Sequence, residues 1–224
     1  MTSQDKPVLL FDLDGTLVNS APDLALAVNA TLRDLHRDEF DQQKIHLWVG
    51  NGAKTLIERA LSGSAVIDKH LDTDLAKQAL TMFLAHYQKN LCIASCLYQG
   101  VENTLLTLKK AGYRFAIITN KPVEFVRPII TALNIGDLFE LILGGDSLSE
   151  RKPSPLPLIY ACEQLGVLPN QCLMIGDSKN DILAAKAADI QSIGLTYGYN
   201  YGEDIAVYRP DWRFEQFSDL LSIL

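Results

Sequence analysis

Two carboxylates, Asp12 and Asp14, stand one residue apart at the end of the apolar run "PVLLFDL" (7–13). In an extended strand, side chains two residues apart share a face, so two acids that oppose each other's ionisation are held side by side. Polar residues close other strand-like runs too. "RFAIITN" (114–120) ends on Thr119 and Asn120, and "QCLMIGD" (171–177) ends on Asp177, with Asp181 four residues on. Lys152 lies in "GGDSLSERKPSP", after "LFELILG" (138–144). Taken singly, each has an ordinary reading: Asp, Ser, Thr and Asn are common helix N-caps, and a lone lysine is usually solvated. Together they describe a phosphoryl site. Asp12, Asp14 and Asp177 form an oxygen-rich cluster that suits Mg²⁺, a hard cation taking few carboxylates. Lys152 adds positive charge, and Thr119 and Asn120 add hydrogen-bond donors. Phosphoryl transfer needs in-line positioning and neutralised oxygens. One carboxylate can attack phosphorus, and its neighbour can give a proton to the leaving alcohol and take one from water.

Five short runs rich in Ile, Leu, Val and Phe, the fifth being "QSIGLTY" (191–197), do not alternate cleanly with polar residues. That pattern fits strands covered on both faces of a parallel sheet. Helical patterns separate most of them. "VENTLLTLKKAG" carries Leu105, Leu108 and Ala111 in register, lysines in its last turn and Gly112 as a stop. "EFVRPIITALN", "LPLIYACEQLG" and "KNDILAAKAAD" also read as helices. The alternation predicts an α/β, Rossmann-like, doubly wound fold, whose sites lie beyond the carboxyl ends of the strands. Between the first and second strands lie about a hundred residues read as strand-free. "APDLALAVNATLRDL", "AKTLIERAL" and "LAKQALTMFLAHYQKNL" are helical there. The expected division is an α/β core over residues 1–16 and 97–224, with an all-α cap over 17–96.

Of the 224 residues, 48% are hydrophobic and the net charge is −7, enough for a sizeable core. No Lys/Arg cluster forms a nucleic-acid face, no apolar run reaches the ~18 residues of a membrane span, and the polar N-terminus carries no signal-peptide pattern. A cytoplasmic protein, monomer or homodimer, is expected. Cys92 and Cys96 are spaced for one helix face, but neither they nor Cys162 and Cys172 form a CxxC, so reduced buried thiols are the expectation. All four histidines fall between residues 36 and 86 and are assigned surface or packing roles.

The ordered set Asp12-x-Asp14-Gly15-Thr16, Thr119, Lys152 and Gly176-Asp177 with Asp181 resembles the haloacid dehalogenase (HAD) superfamily. "WVGNGAKTLIERAL", "KPSPLPL", "GDSKNDILAAKAADI" and "LTYGYNYG" look like its bacterial phosphoglycolate phosphatase subgroup, along almost the whole chain. The resemblance implies Mg²⁺-dependent hydrolysis of 2-phosphoglycolate through an aspartyl-phosphate. It implies Asp12 as nucleophile and Asp14 as general acid/base, the latter giving its main-chain carbonyl to the metal. Thr119 and the Asn120 backbone would hold phosphoryl oxygens, Lys152 would balance charge, Asp177 would bind the metal, and Asp181 would orient Lys152 or a metal water. Asn19 and Asp189 depart from the subgroup's usual aspartate and glycine. Asp189 falls at a helix C′ position that often needs positive φ.

In the cap, Gly50-Asn51-Gly52 reads either as a turn with an N-cap or as backbone N–H groups that bind a substrate carboxylate, with Lys54 adding charge. The loop "YGYNYG" (197–202) reads as an ordinary connection or as a wall of the site. Alternatives on the same scaffold are a phosphatase of another small phosphorylated metabolite, a phosphosugar mutase, or a phosphonatase using Lys54 as a Schiff-base lysine. Asp14 argues against a haloacid dehalogenase, which needs no second aspartate. A receiver-type phospho-acceptor is about half this length and lacks both the Asp-x-Asp spacing and the helical insertion.

Overall fold

The computed structural model describes residues 6–224. Strand β1 (Val8–Phe11) is followed by β2 (Val18–Asn19) and four helices: α1 (Ala21–Asp34), α2 (Gln42–His46), α3 (Gly52–Ser62) and α4 (Thr73–Lys89). Then come β3 (Cys96–Leu97), α5 (Val101–Lys110), β4 (Arg114–Ile118), α6 (Val123–Ala132), β5 (Leu141–Leu143), α7 (Leu156–Leu165), β6 (Cys172–Gly176), α8 (Lys179–Ala187), β7 (Gln191–Leu195) and β8 (Trp212–Phe214). Six strands form one parallel sheet in the order β5-β4-β1-β6-β7-β8.

The sheet explains the unbroken apolar runs. In β1, Leu9 and Phe11 enter one hydrophobic cluster and Val8 and Leu10 another, on the opposite face. Phe115 and Ile117 of β4 likewise part from Ala116 and Ile118, and Leu173 and Ile175 of β6 from Cys172 and Met174. Helices cover both faces, so both phases of each strand must be apolar. From β1 the chain builds outward through β4 and β5, then returns to β1's other side with β6. A crevice therefore opens beyond the carboxyl ends of β1, β4 and β6.

Helices α1–α4 pack on one another, α4 against both α1 and α3. The joins that lead into and out of this group are extended, which corrects the strand-free reading. Val18–Asn19 pairs antiparallel with Cys96–Leu97. Buried Asp23 fastens the returning join to α1, accepting from the backbone N–H of Ala94 and Ser95 at 2.8 Å and from the Ser95 hydroxyl at 2.5 Å. Cys92 and Cys96 do not share a helix face, because α4 stops at Lys89 and Cys96 lies exposed in β3. All four cysteines are free thiols, and Cys162 and Cys172 are buried. Asp189 has φ +55°, the left-handed conformation expected after α8. Strand β8, not foreseen in the sequence, extends the sheet beside β7. No helix among the described residues is long and apolar enough to cross a membrane.

Candidate active site

Asp12 follows β1, and its backbone N–H donates to Ile175 at 3.0 Å, so the neighbouring strand sets its position. Its carboxylate is buried with Oδ1 3.1 Å from Lys152 Nζ, an ion pair without hydrogen-bond alignment. Oδ1 consequently has no hydrogen-bond partner. Lys152 is itself 2% exposed and is held by Asp181 Oδ1 at 2.6 Å and by the Ile118 carbonyl. Burial opposes the lysine's charge, but Asp12 and Asp181 outweigh it and raise its pKa. Asp181 is fixed in turn at the start of α8, where Oδ2 accepts from the Ser178 N–H and hydroxyl at 3.0 and 2.9 Å.

Asp177 enters from the end of β6. Its Oδ1 accepts from the Thr16 hydroxyl at 2.6 Å and its Oδ2 from the Tyr199 N–H at 2.6 Å. Two glycines make room for it. A Cβ on Gly15, which has φ +91°, or on Gly198 would run into the Asp177 carboxylate, so both positions need the missing side chain. Carboxylate oxygens of Asp12, Asp177 and Asp181 lie within 4.8 Å of one another. Burial, with a smaller contribution from Asp181 and Asp14 and against the pull of Lys152, pushes Asp12 up to about 6. Burial, then Asp181 and Asp12, pushes Asp177 well above the usual carboxylate range. An all-oxygen donor set, one orphaned oxygen and mutually repelling acids fit a hard divalent cation.

The acidic cluster differs from the one expected. Asp181 replaces Asp14 in it. The Asp14 side chain turns to Lys121, whose Nζ donates to both its oxygens at 3.0 Å, and accepts from the Ser20 hydroxyl at 2.6 Å. Asp12 and Asp14 nonetheless line one cleft, together with Thr119 and Asn120 from the end of β4 and Gly50 and Gly52 at the start of α3. Thr119 Oγ1 accepts from the Lys121 N–H at 3.2 Å, which leaves its hydroxyl proton free to donate. Asn120 Nδ2 donates to the Lys152 carbonyl at 2.9 Å and to the Gly50 carbonyl at 3.3 Å, tying the end of β4 to the turn before α3.

The residues of the Gly50–Gly52 turn separate. Gly50 and Gly52 line the cleft, while the Asn51 side chain turns away to the Tyr201 hydroxyl and to Asn180 Nδ2. Lys54 is exposed and paired with Glu58 at 3.8 Å, outside the cleft, so the cap lysine assigned to a phosphonatase is not there. The loop 197–202 does not line the cleft but braces the residues around the acidic cluster. Besides Tyr199 N–H on Asp177, Tyr197 donates to the Thr16 carbonyl at 2.7 Å and Tyr199 OH to Asn19 Oδ1 at 2.8 Å. Sequence reasoning also missed Lys121. The available signals were its place one residue past Asn120 and the alternate tyrosines of the loop.

The family model for haloacid dehalogenase-like hydrolases matches residues 9–195. A phosphoglycolate phosphatase of Colwellia psychrerythraea is 67% identical over 221 residues, 99% of this chain and 98% of its own. One from Pasteurella multocida is 48% identical over 215 residues, 96% of each. The crystal structure of a predicted phosphoglycolate phosphatase from Haemophilus somnus matches with a TM-score of 0.91 at 46% identity, covering 100% of this chain and 99% of that one.

Proposed function

Because the chain belongs to the haloacid dehalogenase-like hydrolases, we propose that its phosphatase activity falls on 2-phosphoglycolate, giving glycolate and phosphate. The observation that carries the mechanism is Asp12 Oδ1, buried and free of any hydrogen bond, at the wall of the cleft. A carboxylate oxygen held unsolvated is poised as a nucleophile. Asp12 attacks phosphorus and becomes an aspartyl-phosphate. Asp14, on the same cleft, gives its proton to the departing glycolate oxygen and then takes one from the water that releases phosphate. The Thr119 hydroxyl and the Asn120 backbone hold phosphoryl oxygens. Lys152, locked by Asp181, keeps its charge beside Asp12 throughout.

Asp12, Asp177 and the Asp14 main-chain carbonyl would hold Mg²⁺. When bound, the cation neutralises phosphoryl oxygens and relieves the repulsion among the acids. Helices α1–α4 serve as the cap, with the paired joins at residues 17–20 and 95–97 as its attachment. The substrate reading draws its support from relatives that bear the name phosphoglycolate phosphatase over nearly the full chain. It is tested by screening phosphate release from small phosphorylated metabolites with and without Mg²⁺. The proposal requires 2-phosphoglycolate to give the highest kcat/KM of the set and a chelator to remove the activity. A higher kcat/KM for a phosphosugar would overturn the substrate assignment.

A further inference from the structure

The cleft holds a cation and a hydroxyl that the chemistry above leaves unused. Lys121 is 5% exposed and is the one cation among the described residues lining the cleft. An ammonium has three N–H donors. Asp14 accepts two of them, and the third, beside the Tyr87 hydroxyl, makes no aligned hydrogen bond among the described residues. Tyr87, on the cap helix α4, is 1% exposed and lines the same cleft, and its hydroxyl makes no hydrogen bond at all among the described residues. The Lys121 ammonium lies 4.7 Å from the centre of the Tyr87 ring, so the two groups meet at one place. Burial pushes the Tyr87 hydroxyl up to about 12, so it stays a donor at neutral pH.

A buried hydroxyl without a partner is uncommon and costly. Two spare donors, one of them charged, call for an anion with two acceptor oxygens. The nearby walls, Leu24, Phe83 and Phe125, are apolar and strengthen any charge-assisted bond made between them. Building on the phosphatase reading of the preceding section, we propose that Lys121 Nζ and Tyr87 OH form a carboxylate subsite. It grips the acid end of a short phosphorylated acid while the phosphoryl end meets Asp12 and Thr119. The core supplies the cation and the cap supplies the hydroxyl, so the subsite is complete only with the cap against the core. A phosphate ester without a carboxylate leaves both donors unpaired, and a site built to hydrogen-bond a group discriminates against the analogue lacking it.

The test compares kcat/KM for 2-phosphoglycolate with that for ethyl phosphate, a phosphomonoester of the same length without the carboxylate. Tyr87→Phe keeps the ring and removes only the hydroxyl. The ratio of the two values should fall about tenfold in Tyr87→Phe and roughly a further tenfold in Lys121→Met. A ratio is insensitive to a uniform loss, whether from disturbing Asp14 or from partial unfolding, so a merely structural tyrosine would leave it in place. A high wild-type ratio that Tyr87→Phe does not lower overturns the subsite and leaves the phosphatase reading standing. A wild-type ratio near one overturns the subsite and the acid-substrate assignment together.

Discussion

Two buried lysines flank the Asp12–Asp14 pair, and their surroundings differ. Lys152 is enclosed by the core: Asp181 and the Ile118 carbonyl take its protons and Asp12 faces it at 3.1 Å. Lys121 bonds Asp14 alone through its side chain and lies against Tyr87 of α4. The first sits among groups of the core, with a carboxylate on each of two sides. The second leans on helix α4, a separate helical group, through the ring of Tyr87. On the reading proposed above, the first lysine serves the reaction and the second the substrate.

The largest effect should come from Asp12→Asn. Phosphate release is expected to fall at least about 10³-fold, since the nucleophile is gone, while circular dichroism remains native. Turnover within tenfold of wild type would break the account at its centre. Next, Lys152→Met leaves Asp12 and Asp181 buried without their cation and should destabilise the protein by about 3–5 kcal/mol. Lys121→Met should cost less, about 1–2 kcal/mol, because Asp14 keeps the Ser20 hydroxyl and some solvent contact. Denaturant melts of the two variants sharpen the comparison directly. Equal losses would mean that both lysines are structural.

A pH effect of intermediate size follows from Asp12, raised to about 6 by burial, with Asp181 and Asp14 adding to it. A carboxyl that binds its proton more tightly when folded weakens the fold once it ionises. Metal-free protein should therefore lose stability as the pH rises from about 4 to about 6, by roughly 3 kcal/mol from this group. Asp12→Asn should flatten that slope, and added Mg²⁺ should restore stability above pH 6. Thermal melts in chelator across this range check it. A stability that climbs with pH over the same interval would contradict the buried-acid geometry.

What could be read from the sequence follows the same division. Asp12, Thr119, Lys152 and Asp177 are legible because each interrupts or follows an apolar strand, and a doubly wound sheet gathers strand ends at one edge. The environment of Lys121 is not legible. A lysine between Asn120 and Pro122 at the head of α6 reads as surface, and only the distant Tyr87 closing over it makes it interior. Tyr87 reads as one more aromatic on the buried stripe of a helix, since no local pattern reveals an unpaired hydroxyl. The Asp14 side chain departs from the acidic cluster for the same reason: its partner Lys121 lies far along the chain. Strands β2, β3 and β8, of two or three residues, are too short to show a period. The role of loop 197–202 depends on Gly198, which lets Tyr199 N–H reach Asp177.

The central claim is that Asp12 carries the phosphoryl group between substrate and water. Enzyme mixed with Mg²⁺ and excess 2-phosphoglycolate, quenched in acid within the first turnovers and digested, should yield the Asp12 peptide bearing one phosphoryl group by mass spectrometry. That mass should be absent from Asp12→Asn. Steady phosphate release with no phosphorylated Asp12 peptide, or a phosphoryl group trapped on another residue, would contradict the mechanism.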